Sequence, residues 1–133
     1  MIVLDASAVL EFLLGTSTGS RVADRIASQR ETLHAPHLLD LEVAQVLRRH
    51  LRAGAIDEAR GRRALDDLCA LDLARYAHDI LLPRIWQLRE TVTAYDAAYL
   101  ALAEALAAPL ITLDGRLSRA RGHRARVEVV SAA

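Results

Sequence analysis

Five short apolar runs recur along the chain, at 1–5 (MIVLD), about 31–35 (ETLHA), about 71–75 (LDLAR), 110–114 (LITLD) and 127–131 (VEVVS), and segments with helical period separate them. Strands that alternate with helices predict a mostly parallel sheet covered on both faces. The first and fourth runs are apolar without alternation, which fits central strands. The fifth carries Glu128 and reads as an edge. No repeat, low-complexity tract or linker interrupts this pattern.

The helical segments are well punctuated. Ser7 is placed to cap a short helix, Ala8 to Leu14, that stops at Gly15. Pro36 opens a longer one running to about Ala53, with Gly54 in the stop position, and Asp57 caps another to about Leu71, whose interior Gly61 weakens it. Residues 78–90 form a further helix in which Pro83 belongs in a first turn. Thr93 precedes AYDAAYLALAEALAA, an alanine-rich helix that ends before Pro109.

Composition narrows the picture. At 133 residues, 53% hydrophobic and 26% charged, the chain is expected to be one globular domain, 1–133, with enough apolar material for a core. The formal charge is zero, and all 17 basic residues are Arg, so any mechanism that needs a lysine ammonium is excluded. The single Cys69 lies in an amphipathic stretch and reads as a buried structural thiol. No apolar stretch is long enough to span a membrane, which makes a cytoplasmic location the expectation.

Four carboxylates stand in unusual places. Asp5 and Asp114 each close an apolar strand. Glu42 lies three residues after Leu39 and four before Val46, inside the apolar stripe of its helix, and Asp96 sits four before Leu100 in the stripe Leu100, Ala103, Ala107. Each has a purely structural alternative: Asp5 as acceptor from the next helix, Glu42 reaching an Arg, Asp96 in a capping box with Thr93, Asp114 in an Asp-Gly turn. Taken together they point elsewhere, because parallel strands aim their carboxyl ends at one sheet edge and the following helices begin there. Four acids in one half-buried crevice repel one another unless a cation joins them, and hard oxygen donors suit Mg²⁺ or Mn²⁺. Metal-assisted phosphodiester hydrolysis is the matching chemistry. Ser7 and Thr112, each two residues from an acid, are supporting candidates to orient water, ligand or phosphate, against the plainer readings of helix cap and strand residue.

In order and spacing, MIVLDASAVLEFLL, PHLLDLEVAQVLRRHLRAGAI and TAYDAAYLALAEALAAPLITLDGRL resemble the PIN-domain ribonucleases, specifically the VapC-type toxins of toxin–antitoxin modules. The resemblance implies an α/β three-layer sandwich, a five-stranded parallel sheet in the order 3-2-1-4-5 with helices on both faces. It also implies a Mg²⁺- or Mn²⁺-dependent endoribonuclease whose catalytic and metal-binding acids fall on Asp5, Glu42, Asp96 and Asp114. RNA would be the substrate, a homodimer the working form, and a small cognate antitoxin of the VapB type the inhibitor, its tail lying over the site. Gln45 stands where many relatives carry Asn, and Gly115-Arg116 where some have a further acid, so four acids are the most this chain offers.

Arginines flank the proposed site as Arg48, Arg49 and Arg52 on the long helix and as Arg116, Arg119, Arg121, Arg124 and Arg126 after Asp114. Arg116 and Arg119 are the foremost candidates to hold an RNA backbone, against the alternative of a solvated face making salt bridges. The five histidines show no zinc spacing. Ile56, Leu65, Leu68, Trp86 and Leu88 supply apolar surface for a core, a subunit contact or an antitoxin segment. Two other classes compete: a phosphoryl-acceptor α/β domain, which wants a nearby lysine or an acid where Ser7 stands, and a catalytically weak RNA-binding module whose acids are caps.

Overall fold

The computed structural model describes residues 1–28 and 30–131. Its strands are β1 (Ile2–Leu4), β2 (Leu33–Pro36), β3 (Leu73–Tyr76), β4 (Leu110–Thr112) and β5 (Val127–Val129), all parallel in one sheet ordered β3-β2-β1-β4-β5. The apolar β1 and β4 are adjacent and fully buried, and β5 is an edge, as the alternation pattern predicts.

The helices are α1 (Ala6–Leu14), α2 (Ser17–Ala27), α3 (Leu38–Arg52), α4 (Glu58–Ala70), α5 (Leu82–Gln87), α6 (Ala94–Leu106) and α7 (Gly115–Arg119), with one 3-10 turn at Asp79–Leu81. Several starts differ from the sequence expectation. Asp5, not Ser7, caps α1: its side chain accepts from the Ala8 N–H, and the helix begins at Ala6. Pro36 ends β2 instead of opening α3. Its neighbour His37 donates its N–H to the Tyr76 carbonyl of β3, while the first free N–H of α3, on Leu38, donates to His78 Nε2 at 2.9 Å. The α3 terminus is therefore capped from the loop after β3. Helix α2 has no counterpart in the sequence reading, and residues 78–90 divide into the 3-10 turn and α5, with Pro83 in the first turn of the latter. Cys69 is exposed on α4, whose buried residues are Ala64 and Leu68, so its thiol is not a core group.

The connections place the helices. From β1 the chain steps to β2 and then β3, and it returns through α5 and α6 to β4 on the far side of β1. Right-handed crossovers in opposite directions lie on opposite faces. Helix α6 packs across β1, β2 and β4 with α5 beside it, while α1 packs with α2, α3 and α4 as the other layer. Helix α6 is enclosed almost all round, from Ala97 to Ala103, which explains its run of small residues. The order reverses between β1 and β4, and the carboxyl ends of those strands open the crevice expected at such a switch point.

Candidate active site

Asp5 follows β1 directly, and its N–H donates to the Ile111 carbonyl of β4, so the sheet itself fixes its backbone. Only 7% of the residue is exposed. Both carboxylate oxygens are held: Oδ1 accepts from Ser7 Oγ at 2.6 Å and from the Ala8 N–H at 3.0 Å, and Oδ2 accepts from the Thr112 hydroxyl. Burial pushes this carboxyl above its ordinary range, the three donors pull it back, and the nearby Asp96 charge pushes it up again.

Ser7 and Thr112 are thus the frame around Asp5. The parallel register pairs Val3 with Leu110 and Leu4 with Ile111, which brings Thr112 beside Asp5. Thr112 is fully buried, and while its proton goes to Asp5 its oxygen accepts from the Asp114 N–H at 2.9 Å. Ser7 likewise accepts from the Leu113 N–H at 3.0 Å. The two hydroxyls stand 3.4 Å apart, with each proton committed to Asp5, so they tie the end of β1 to the loop after β4.

Glu42 lies in the second turn of α3, half-buried, and its Oε1 accepts from the Tyr99 hydroxyl of α6 at 2.6 Å. Burial raises its carboxyl, Tyr99 opposes this, and the charges of Asp5 and Asp96 add to the rise. Tyr99, 2% exposed, has its own phenol pushed up by burial and by Glu42, and remains a donor throughout. Sequence reasoning missed Tyr99, which reads simply as one more large residue of a buried helix.

Asp96 stands in the first turn of α6, where its N–H donates to the capping Thr93 hydroxyl at 3.2 Å. Burial raises its carboxyl first and Asp114 next, while Arg116 lowers it. Asp114 caps the short α7 by accepting from the Arg116 N–H, and the Arg116 guanidinium holds its carboxyl below the usual range. The structural roles weighed for Asp5 and Asp114 are therefore real and coexist with convergence, whereas at Asp96 the cap is the Thr93 hydroxyl and not the carboxylate. Asp5 feels Asp96, Glu42 feels both, and Asp96 feels Asp114, so the four acids share one electrostatic site.

Three of these four acids are driven toward protonation by burial, with repulsion from their neighbours adding to it, a setting that a hard cation relieves. As arranged, no three His, Cys, Asp or Glu side chains among the described residues are gathered closely enough to hold an ion. An open set of separate carboxylates fits Mg²⁺ or Mn²⁺, hard cations that take carboxylate oxygens while keeping several waters, better than a dehydrated cage metal.

The crevice continues into two hollows. One, of 370 Å³, lies beside Asp96 and is walled by Thr91, Thr93, Arg116 and Arg119; the other, of 330 Å³, lies beside Glu42 and is walled by Leu41, Gln45, Arg49 and Tyr95. The arginine-rich tail divides. Arg124 and Arg126 line a separate cleft with Glu104 at the start of β5, the opposite sheet edge from the acids, whereas Arg116 and Arg119 line the hollow beside Asp96. Among the surplus apolar residues Leu68 and Leu88 are buried and Ile56 packs partly against the core, whereas Leu65 and Trp86 are exposed. No helix among the described residues is long and apolar enough to cross a membrane.

Residues 2–123 match the PIN domain family. The chain is 42% identical over 131 residues to "Ribonuclease VapC12" of Mycobacterium tuberculosis, covering 98% of this chain and 100% of the relative. It is similar in fold to PAE2754 from Pyrobaculum aerophilum, with a TM-score of 0.68 and 25% identity over 96% of this chain and 83% of that one. It is similar also to a toxin–antitoxin complex from Klebsiella pneumoniae, with a TM-score of 0.61 and 18% identity over 86% of this chain and 87% of that one. Carboxylates gathered at the switch point of a 3-2-1-4-5 parallel sheet, a family match over most of the sequence and a ribonuclease relative aligned over nearly the whole chain agree: the chain belongs to the PIN-domain family, in its VapC branch.

Proposed function

We propose that this chain, as one PIN domain over 1–133, is a Mg²⁺- or Mn²⁺-dependent endoribonuclease that hydrolyses RNA phosphodiester bonds as the toxin of a toxin–antitoxin pair. The observation that carries the reading is the convergence of Asp5, Glu42, Asp96 and Asp114 at one sheet edge, three of them with carboxyls raised by burial and mutual charge. The relative named ribonuclease supports the substrate class, and the toxin–antitoxin neighbour supports a cognate antitoxin as partner. A homodimer acting in the cytoplasm completes the proposal.

In this mechanism a divalent ion would supply Lewis-acid polarisation of the phosphoryl group and a lowered pKa for an attacking water. Asp5, Glu42, Asp96 and Asp114 would hold it. Asp5 contributes a fixed carboxylate, because Ser7, Thr112 and the Ala8 N–H restrain its orientation before anything binds. Glu42, with its second oxygen free of Tyr99, is the acid best able to accept a proton from water at the site. Arg116 and Arg119 are exposed cations beside Asp96 that meet phosphate oxygens of the RNA.

The test is cleavage of a structured RNA panel by purified protein with Mg²⁺, Mn²⁺ or chelator, beside Asp5→Asn and Asp96→Asn. Cutting that needs the ion and both acids is expected; cutting that survives chelation or both substitutions overturns the mechanism. Co-expression with the product of a neighbouring short reading frame tests the antitoxin, whose expected signs are binding and restored growth.

A further inference from the structure

Among the described residues, one arginine is ion-paired to a site acid. The Arg116 Nε donates to both oxygens of Asp114 at 3.1 Å, and Nη2 donates to Oδ2 at 2.7 Å. The clasp is nevertheless loosely kept. The Arg116 side chain is 80% exposed and makes no other ion pair among the described residues, and a solvated pair two residues apart exchanges easily. Asp114 does not depend on it for position, because its Oδ1 also accepts from the Arg116 backbone N–H at 2.9 Å and its own N–H is held by Thr112. Arg116 also lines the hollow beside Asp96, together with Thr91, Thr93 and Arg119.

We propose that Arg116 is an exchangeable counter-ion, a positioning residue that clasps Asp114 until a divalent ion takes that carboxylate and then turns its guanidinium to an RNA phosphate in the adjoining hollow. The inference rests on the metal-nuclease reading of the site. Two cations cannot both saturate one carboxylate at close range without repelling each other, so the ion and the guanidinium compete. The backbone N–H keeps Asp114 aimed while the side chain leaves. One residue thereby screens the acids in the resting protein and supplies a phosphate contact when the site is loaded.

The experiment is a calorimetric Mn²⁺ titration of the full chain as wild type, Arg116→Gln, Arg119→Gln and Asp114→Asn, with no RNA present. Arg116→Gln is expected to bind Mn²⁺ about two- to fivefold more tightly, the range that loss of an exposed ion pair gives. Arg119→Gln, which removes the same charge without unclasping Asp114, is expected to gain clearly less. Unchanged affinity in Arg116→Gln, or equal gains in both arginine variants, overturns the proposal while leaving the metal site intact, provided Asp114→Asn still weakens binding. Absence of Mn²⁺ binding to every variant overturns the metal reading, and this inference with it. In wild type, the Arg116 Nε–H resonance is expected to lose its hydrogen-bonded shift on saturation with Mg²⁺; an unmoved resonance also overturns the exchange.

Discussion

Tyr99 of α6 donates its hydroxyl to Glu42 of α3 at 2.6 Å, across 57 positions of sequence, and so joins the helices that carry two of the four acids. The phenol is almost fully buried, so the bond is made away from bulk water and sets which Glu42 oxygen faces the crevice.

Tyr99→Phe removes that donor, and with it the phenol oxygen that faces the Ala6 backbone N–H. A buried hydroxyl that loses its place costs about 1 kcal/mol of stability in a typical series. The larger effect is on function: Glu42, already raised by burial, rises further without its donor and loses its fixed rotamer. RNA cleavage is expected to fall roughly tenfold, as for a misplaced acid–base group, with the acid limb of its pH profile moved upward. An unmoved profile and unchanged rate would show that the bond is only structural.

Thr112→Val is the sharper change. Thr112 donates to Asp5, accepts from the Asp114 N–H and has no exposure to water. The isosteric valine leaves both a carboxylate oxygen and an N–H unpaired, at a cost of about 1–3 kcal/mol read as a lower denaturation midpoint. Ser7→Ala, whose site is only half-buried, is expected to cost less by the same measurement.

These ties mark the boundary of what the sequence displays. Asp5 and Asp114 are visible because an apolar run stops on an acid, and Glu42 and Asp96 because they interrupt a helical stripe. The strand order follows the family resemblance. What depends on distant partners is not visible. Helix α2 starts on Ser17-Thr18-Gly19-Ser20, a poor helical sequence, and it is held there by packing on α1 so close that a Cβ on Gly19 would lie 2.0 Å from the Glu11 carbonyl oxygen. Pro36 is a strand residue because β3 lies alongside it, and α3 begins at Leu38 because His78 caps it. Ser7 resembles a cap, yet Asp5 one step nearer the sheet takes that role and leaves the hydroxyl to restrain the acid.

Asp96→Asn is expected to stabilise the protein in chelator. Burial and Asp114 raise the Asp96 carboxyl in the folded state, so the folded protein favours the protonated form more than the unfolded chain does. That contribution is present below the unfolded value, about 3.9, and is lost as pH rises through the folded one. The gain from Asp96→Asn should therefore be near zero at the bottom of the carboxylate range and grow to a plateau above it. Because Asp96 is half-exposed and solvent screens it, the plateau is about 1–3 °C in Tm. Saturating Mg²⁺ should shrink or reverse the difference, since only the wild type keeps all four proposed ligands, through which a bound ion would stabilise the fold.

The final prediction separates the arginines by sheet edge. Arg119 lines the hollow beside Asp96, whereas Arg124 and Arg126 lie with Glu104 at the amino-terminal edge, where the Arg124 N–H also donates to that glutamate at 2.6 Å. All three carry the same charge, so a diffuse attraction for RNA would weaken equally on losing any of them. A phosphate held in the acid crevice would not. Binding of a single-stranded RNA, measured by anisotropy in an Asp5→Asn background that suppresses cutting, should weaken several-fold for Arg119→Gln and flatten its salt dependence by about 0.7 in log–log slope per lost contact. Arg126→Gln should leave both quantities nearly unchanged. Equal losses for the two variants would mean that the basic tail acts as a general electrostatic surface and that the RNA path does not follow the crevice.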